Sequence, residues 1–428
     1  MFKTIVEAFK VKDLRKKILI TLLLLFVYRI GCWIPCVGFS TSIVDTSGSS
    51  FGFFELMNLV SGGALSNCSI LALGVSPYIT ASIVIQLLTV AIPALERAAK
   101  SGEDGKRKIN LYTRIAALVL ALAQAIGIVV AYSGNLDTNL GGFPSWVIGA
   151  GVVITLVAGA MFTVWIGERI TDLGIGNGTS LLIFVGILSS AGQSIFQAIQ
   201  LTIQDINYIW YIVLFIVAVI AIFALIVFID GGERRVNVQY AKRVVGRKMY
   251  GGQSNYIPIK VNATGVMPII FANALLTFPQ LIISIFWPSV TWYSDWLGTN
   301  SWLYIVLTAV LILLFAQFYT KITFDPSDVS KRIQQQGGLI QGIRPGKPTA
   351  DYLGKINNKI TWFGAIILAG IALVPSLAFK AIGGASAASI LINAFSTTGL
   401  MIVVSVALEL EKQLSAQMFM RNHKGFLN

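Results

Sequence analysis

The chain has few charged residues and very few of the side chains that bind metals. Only 12% of its 428 residues are charged, against about 25% in ordinary soluble domains. It contains one histidine, His423, and three cysteines, Cys32, Cys36 and Cys68. A single histidine argues against a histidine-based metal site. We interpret the three cysteines as small apolar residues rather than as a disulfide or metal ligands.

The motifs of common enzymes are also absent. The string GKP at 346–348 lacks the upstream glycine and the following Ser or Thr of a phosphate-binding loop. The glycines at 174, 176 and 178 do not have the dinucleotide-binding spacing and fit a flexible turn better. Neither a nucleophile–histidine pair nor a cofactor motif is found. The sequence therefore predicts a protein that is not an enzyme and takes its energy from a gradient or a partner.

Lysine and arginine are missing from alternate connecting segments. None lies between Ile30 and Glu96, or near 133–145, 193–207 and 288–301. The other segments are rich in them, with six in 1–17, six in 93–114, seven in 231–262 and seven in 320–360. A bilayer retains Lys and Arg on its cytoplasmic face. This alternation predicts a multi-pass membrane protein with both termini in the cytoplasm.

Long apolar runs account for most of the chain. Its mean hydropathy is +0.76 and 55% of its residues are hydrophobic. Because a helix needs about 20 apolar residues to cross a bilayer, the sequence predicts ten spans. They lie near 18–37, 70–92, 111–132, 145–166, 179–200, 208–229, 264–287, 302–324, 360–379 and 385–408.

Five predicted spans precede the loop at 201–207 and five follow it. An odd number of spans in each half means that the second half is inverted relative to the first. We therefore expect an all-α membrane protein with an N-terminal half at 1–200 and a C-terminal half at 201–428. Inverted halves of this kind commonly build a pathway at their interface.

Residues 51–66 form an apolar segment that is too short to cross a membrane. Gly62 and Gly63 weaken any helix there. The segment is either a surface helix or a re-entrant piece buried in the protein. We favour the re-entrant piece, because irregular backbone at membrane depth must be buried in protein.

Two long loops lie on the basic side, at 231–262 and 325–359. In the first, apolar residues alternate with polar ones from 236 to 240, and a basic turn follows at 242–248. We expect a projecting hairpin with cations at its tip, whose second strand is 244–250. The second loop is rich in glycine and proline.

Charged residues inside the spans are scarce. The spans offer Arg29 and, at their boundaries, Glu168 and Glu409. A secondary solute transporter with inverted repeats usually needs more intramembrane carboxylates or basic groups. That class and a scaffold for membrane assembly nevertheless stay open on composition and topology alone.

Several long motifs carry a resemblance to a known family. They are SGGALSNCSILALGVSPYITASIVIQLL (61–88), ERITDLGIGNGTSLLIF (168–184), QYAKRVVGRKMYGGQSNYIPIKVNATGVMPIIFA (239–272), GIRPG (342–346) and MRNHKGF (420–426). Over essentially its whole length the chain resembles the SecY/Sec61-alpha family. The resemblance implies two inverted five-helix halves around a central hourglass pore. It also implies a channel that passes unfolded secretory proteins and releases membrane segments sideways.

The resemblance assigns four sets of residues. Its pore ring is Val75, Ile79, Thr179, Ile183, Ile270 and Ile402, where Thr179 departs from the usual aliphatic residue. The segment 51–66 becomes a plug, with Phe54, Leu56, Met57, Leu59, Val60, Gly62 and Gly63. The lateral gate includes Gln86, Asn273 and Phe278. The docking surface for the ribosome and the SecA motor includes Arg243, Arg247, Lys248 and Arg344.

Partners and location follow from the same resemblance. It implies SecE and SecG subunits, the SecA ATPase, the ribosome, and signal sequences with their nascent chains. Transport would be driven by the partner ATPase, the ribosome or the proton-motive force. The basic loops would hold ribosomal RNA by neutralising phosphates and would also contact anionic lipids. We expect a bacterial plasma membrane protein.

Overall fold

The computed structural model describes most of the chain as long helices with a small sheet. It covers residues 9–39, 57–58, 60–132, 136, 144–204, 209–240, 243–245, 248–250, 254–262, 265, 267–286, 296, 301–382 and 397–424. The helices are α1 Lys12–Gly31, α2 Ser76–Ala91, α3 Pro93–Lys100, α4 Glu103–Ala131, α5 Ser145–Leu173, α6 Gly178–Gln204, α7 Ile209–Gly231, α8 Met267–Phe286, α9 Trp302–Thr323, α10 Pro326–Gln335, α11 Lys347–Ile382 and α12 Thr397–Lys424. The strands are β1 Glu233–Tyr240, β2 Arg243–Val245, β3 Lys248–Tyr250, β4 Ser254–Lys260 and β5 Gly338–Ile340.

A helix overlaps each of the ten predicted spans. By length and composition alone, four helical stretches are suited to crossing a membrane: Glu103–Val130, Ser145–Leu173, Trp302–Gln335 and Lys347–Leu373. The bent pair Ser76–Ala91 and Pro93–Ala99 makes a fifth, with a bend of 108°. These counts refer to the described residues.

Local sequence signals start several helices. Proline stands at the first position of α3 and of α10, where its missing N–H costs no hydrogen bond. The Asp325 side chain accepts from Ser327 N at 2.9 Å, and Ser301 Oγ accepts from Leu303 N at 3.2 Å. Such capping satisfies backbone donors that the first turn leaves free.

The helices pack in two groups. In the first, α1 packs on α5 and α6, and α4 lies between α2 and α5. In the second, α9 lies between α8 and α11, while α12 contacts α7 and α11. Among the described residues, the main helix contacts that join the groups are α6 with α12 and α4 with α8. The interior is therefore bordered by α6 and α12 on one side and by α4 and α8 on the other.

The hairpin was predicted in the right loop but with the wrong second strand. Strand β1 pairs with β4, so Val236 lies opposite Ile257, and not with 244–250. Residues 243–250 instead form a smaller hairpin, in which Val244 lies opposite Met249. The pairing chosen by the fold buries Val236 and Ile259 in one core cluster.

The loop at 325–359 is more ordered than its glycine and proline content suggested. It contains α10, β5 and the first turns of α11. Strand β5 pairs with β1 and completes the sheet order β4-β1-β5. Ile340 and Leu353 are buried with Val238 in the core of this small unit. The two basic loops therefore form one folded unit.

Some helix boundaries also differ from the predicted spans. Helix α1 lies six residues earlier than 18–37, because the charged stretch from Lys12 to Lys17 is helical too. Helix α11 begins at Lys347, well before the predicted 360. Helix α12 continues to Lys424, beyond the predicted end at 408. The apolar residues mark the part of a helix that fits a bilayer. The helix itself continues into polar residues until a stop signal ends it.

Candidate channel site

Five of the six residues predicted for the pore ring lie in one apolar cluster. Val75, Ile183 and Ile402 are buried in it, and Ile79 and Ile270 are partly buried against it. Val75 directly precedes α2, and the others come from α2, α6, α8 and α12. The cluster therefore takes side chains from both groups of helices. The five predicted residues in it are all aliphatic.

Thr179, the sixth predicted residue, is polar and is therefore not among the apolar residues of this cluster. It lies at the start of α6, where its Oγ1 donates to Asn177 Oδ1 at 2.7 Å. Asn177 Oδ1 also accepts from Thr179 N at 3.1 Å, which caps the helix. The Thr179 methyl group lies near Gly167 of α5. The side chain thus helps to begin α6 and packs between helices.

The described part of the predicted plug is buried inside the bundle. Met57 has no exposed surface and packs in a core cluster with Ala125 of α4 and Leu156 of α5. Val60 belongs to the same cluster as Val75, Ile183 and Ile402. This burial agrees with a re-entrant piece and not with a surface helix. Phe54, Leu56 and Leu59 lie outside the described residues.

The chain turns sharply after Val60 and rests on α6. Gly62 and Gly63 have φ of +74° and +84°, a conformation that glycine adopts without strain. A Cβ on Gly62 would lie 2.9 Å from the Gly186 carbonyl oxygen, and one on Gly63 would lie 2.8 Å from Gln193 Oε1. The lack of side chains at both positions lets the backbone pack directly on the helix.

Arg29 of α1 lies beside this turn. Its Nη1 and Nη2 atoms are each 3.5 Å from the Gly62 carbonyl oxygen, and Nη2 also donates to Ser189 Oγ of α6. The sequence marked Arg29 as a rare charge inside a span but did not indicate its partners. These partners are 33 and 160 residues away, so no local pattern could have found them.

The residues predicted for the lateral gate lie on α2 and α8, and α8 contacts α4. Each side is a packed pair, α2 with α4 and α8 with α9. The ring centroids of Phe271 and Phe315 are 5.4 Å apart, and this stacked contact joins α8 to α9. Gln86 is exposed on α2 and donates to Ser82 Oγ at 3.3 Å, whereas Asn273 of α8 is buried. The Phe278 side chain lies outside the described residues.

The predicted docking residues lie on the folded unit of the two loops. Arg243 and Lys248 stand on β2 and β3 of the small hairpin, and Arg247 lies outside the described residues. Arg344 is exposed between β5 and α11, where its carbonyl accepts from Thr349 Oγ1 at 2.9 Å. The predicted cations therefore occur on both parts of the same unit.

No metal centre is formed by the described residues. They contain no group of three or more His, Cys, Asp or Glu side chains that could hold an ion. Cys32, Cys36 and Cys68 are free and buried. The central cluster is apolar, and the described residues bring no group of metal ligands to it.

Comparison with known proteins gives a consistent result. The family model described as SecY matches residues 69–410. The protein translocase subunit SecY of Streptomyces scabiei is 41% identical over 443 residues, covering 100% of both chains. The protein of the same name from Corynebacterium glutamicum is 40% identical over 449 residues, covering 99% of each.

Solved structures resemble the fold at much lower sequence identity. A protein-conducting channel matches with a TM-score of 0.69 and 19% identity over 94% of this chain and 92% of that one. A SecY channel studied for its plug domain matches with a TM-score of 0.65, 19% identity and the same coverage. Sec61 in a canine ribosome–channel complex matches with a TM-score of 0.63 and 16% identity, again over 94% and 92%. These likenesses show a common fold.

Proposed function

The chain belongs to the SecY family, and on that premise we propose that it is the channel subunit of a protein translocase. It passes unfolded secretory proteins across the membrane and releases membrane segments sideways into the bilayer. The chain is not an enzyme, and transport is driven by a partner ATPase, the ribosome or the proton-motive force.

One observation carries this proposal, the apolar cluster at the centre of the molecule. Val75, Ile183, Ile270 and Ile402 meet there from both groups of helices. An apolar constriction excludes water and ions when it is closed but can be widened by a passing chain. A solute transporter would instead need polar groups at this point to bind its substrate.

The segment 51–66 acts as the plug of this pore. Val60 fills the cluster from one side, and the turn at Gly62 and Gly63 places the backbone against α6. A relative of the same fold has a plug domain that stabilises its closed state and maintains a membrane seal. We assign the same role to this segment, including the residues that lie outside the described part.

The seam between α4 and α8 is the lateral gate. It joins two packed helix pairs, so the pairs can separate as units while each keeps its own contacts. We assign Gln86, Asn273 and Phe278 to this gate. The halves 1–200 and 201–428 would move apart about the loop at 201–207.

The proposed partners follow from the family and from the basic loops. A translocase assembles with other components, and the Sec61 relative was seen with a ribosome. We propose SecE and SecG as companion subunits, with SecA and the ribosome docking on Arg243, Arg247, Lys248 and Arg344. Anionic lipids surround the basic loops. We also propose the bacterial plasma membrane as the location, with both termini in the cytoplasm.

A photo-crosslinking experiment tests the proposed path. A crosslinking residue placed at Ile183 or Ile402 should form adducts with a stalled secretory chain, because both side chains belong to the central apolar cluster. The matched controls are Ile154 and Phe228, which are 70% and 80% exposed on the outside of the helices. Equal yields at all four positions would contradict a central path. Gradient-coupled solute flux in vesicles that contain this chain alone would favour a transporter instead.

Neutralising the small hairpin should weaken ribosome binding. Replacing Arg243, Arg247 and Lys248 by Gln removes up to three phosphate contacts, so the log–log salt slope of binding should fall by about 2. The control replaces Lys106, Arg107 and Lys108, three exposed cations at the start of α4, and should leave the slope unchanged.

Arg344 should behave differently from the hairpin. Its replacement by Gln is expected to slow SecA-driven export while ribosome affinity stays the same.

If the hairpin and control variants lower the salt slope equally, the loops contribute only general charge and the docking proposal is wrong.

A further inference from the structure

A guanidinium group holds the turn of the plug segment against the bundle. Arg29 extends from the last turn of α1, and its two terminal nitrogens both point to the Gly62 carbonyl oxygen. At 3.5 Å these contacts are at the long end of hydrogen bonding. Where water is excluded, a full positive charge still attracts a carbonyl dipole strongly.

Ser189 fixes the direction of this guanidinium group. Its hydroxyl on α6 accepts from Arg29 Nη2. The contact joins α1 to α6, two helices that also contact each other directly. The arginine fork is planar and rigid, so holding one nitrogen also orients the other. Ser189 therefore aims Arg29 at Gly62.

The surrounding surface is shaped for the turn. Gly186, Ser189 and Gln193 are three and four residues apart and share one face of α6. This face meets the backbone of Val60, Gly62 and Gly63, while the Cys32 thiol of α1 lies 3.8 Å from the Ser61 carbonyl oxygen. Two helices thus contact successive carbonyls of one short stretch.

We propose that Arg29 is a positioning residue that latches the plug segment in its closed place, with Ser189 as its orienting partner. The inference rests on the proposed role of 51–66 as a plug. The contact with Gly62 exists only while the segment is seated, whereas the contact with Ser189 remains. A contact made in one state alone shifts the equilibrium toward that state.

The test uses the purified complex in planar bilayers without a translocating chain. Arg29→Gln should raise the open probability about tenfold, as expected for loss of a charge-assisted contact. Arg29→Lys keeps the charge but loses the fork, and should give an intermediate rise. Ser189→Ala should raise the open probability by about threefold, since it removes only the orienting hydroxyl. Ser145→Ala, at the exposed start of α5, is the control and should match the parent.

A second background separates the latch from the plug. In a chain that lacks 51–66 the Gly62 carbonyl is gone, so Arg29→Gln should add nothing to the conductance caused by the deletion. If the deletion opens the channel but Arg29→Gln and Ser189→Ala do not, the latch is wrong and the plug stands. If Arg29→Gln has its full effect without the segment, Arg29 acts elsewhere and the latch is wrong. If the deletion itself changes nothing, the plug proposal fails.

Discussion

Replacing Ile402 by Asn should open the idle channel. Ile402 is 5% exposed and packs with Val75 and Ile183 in the central cluster. A buried amide without hydrogen-bond partners costs about 1–3 kcal/mol, and water entering the constriction removes that cost. Because water can enter only when the ring loosens, the closed state loses stability relative to the open one. We expect ion conductance to rise about tenfold or more, since 1.4 kcal/mol corresponds to a factor of ten.

The same change should relax the selection of substrates. A weakened closed state needs less energy from a signal sequence, so export of a protein with a defective signal should increase. Ile402→Val is the matched control, because it keeps an apolar β-branched side chain and removes one methylene. That variant should close almost as well as the parent. Parent-like conductance and export in the Asn variant would show that Ile402 does not form the seal.

The positions of the helices could be predicted because they depend on bulk properties. Apolar length marks the spans and the distribution of Lys and Arg gives their direction, so a helix was found at each predicted position. Positions in the pore ring required the family resemblance. Without that resemblance, any single isoleucine would be interpreted as a residue that packs in the core. Thr179 was the exception in residue type, and it is hydrogen-bonded to Asn177 at the start of α6.

The basic loops show where local pattern is insufficient. The alternation around Val236 predicted a strand correctly, but its partner depends on which pairing buries the most apolar surface. The fold chose β4 and added β5 from a loop almost one hundred residues away. Ile340 and Leu353 then complete a core that neither loop could form alone. Long-range pairings of this kind leave little trace in a single sequence.

The contacts of the plug turn were equally beyond sequence reasoning. Gly62 and Gly63 were noticed as helix breakers, whereas their main role is to bring backbone against α6. Gly186 had no distinguishing feature in the sequence, being one of 40 glycines. Its importance comes from a neighbour more than one hundred positions away in the chain, the carbonyl of Val60.

Replacing Gly186 by Ala adds only one methyl group, yet it should strongly disturb the seating of the plug segment. A Cβ at this position would overlap the Val60 carbonyl oxygen and lie 3.0 Å from its carbon. Both neighbours are backbone, so neither can rotate away as a side chain would. Either the turn moves off α6 or the helix shifts, and overpacking of this kind costs about 1–3 kcal/mol. Because the helix is held by several others and the turn by fewer contacts, the segment should be displaced.

Gly192→Ala gives a matched control on the same helix. A Cβ there has nothing within 4 Å, so the substitution adds only helix propensity, about 1 kcal/mol in favour of folding. Gly186→Ala receives the same gain, and the difference between the two variants isolates the overlap. We expect higher idle conductance and easier protease cleavage within 51–66 for Gly186→Ala, with neither change for Gly192→Ala. If the two variants behave alike in both measurements, the close packing of Val60 on Gly186 does not hold the channel closed, and the seat of the plug must lie among other residues.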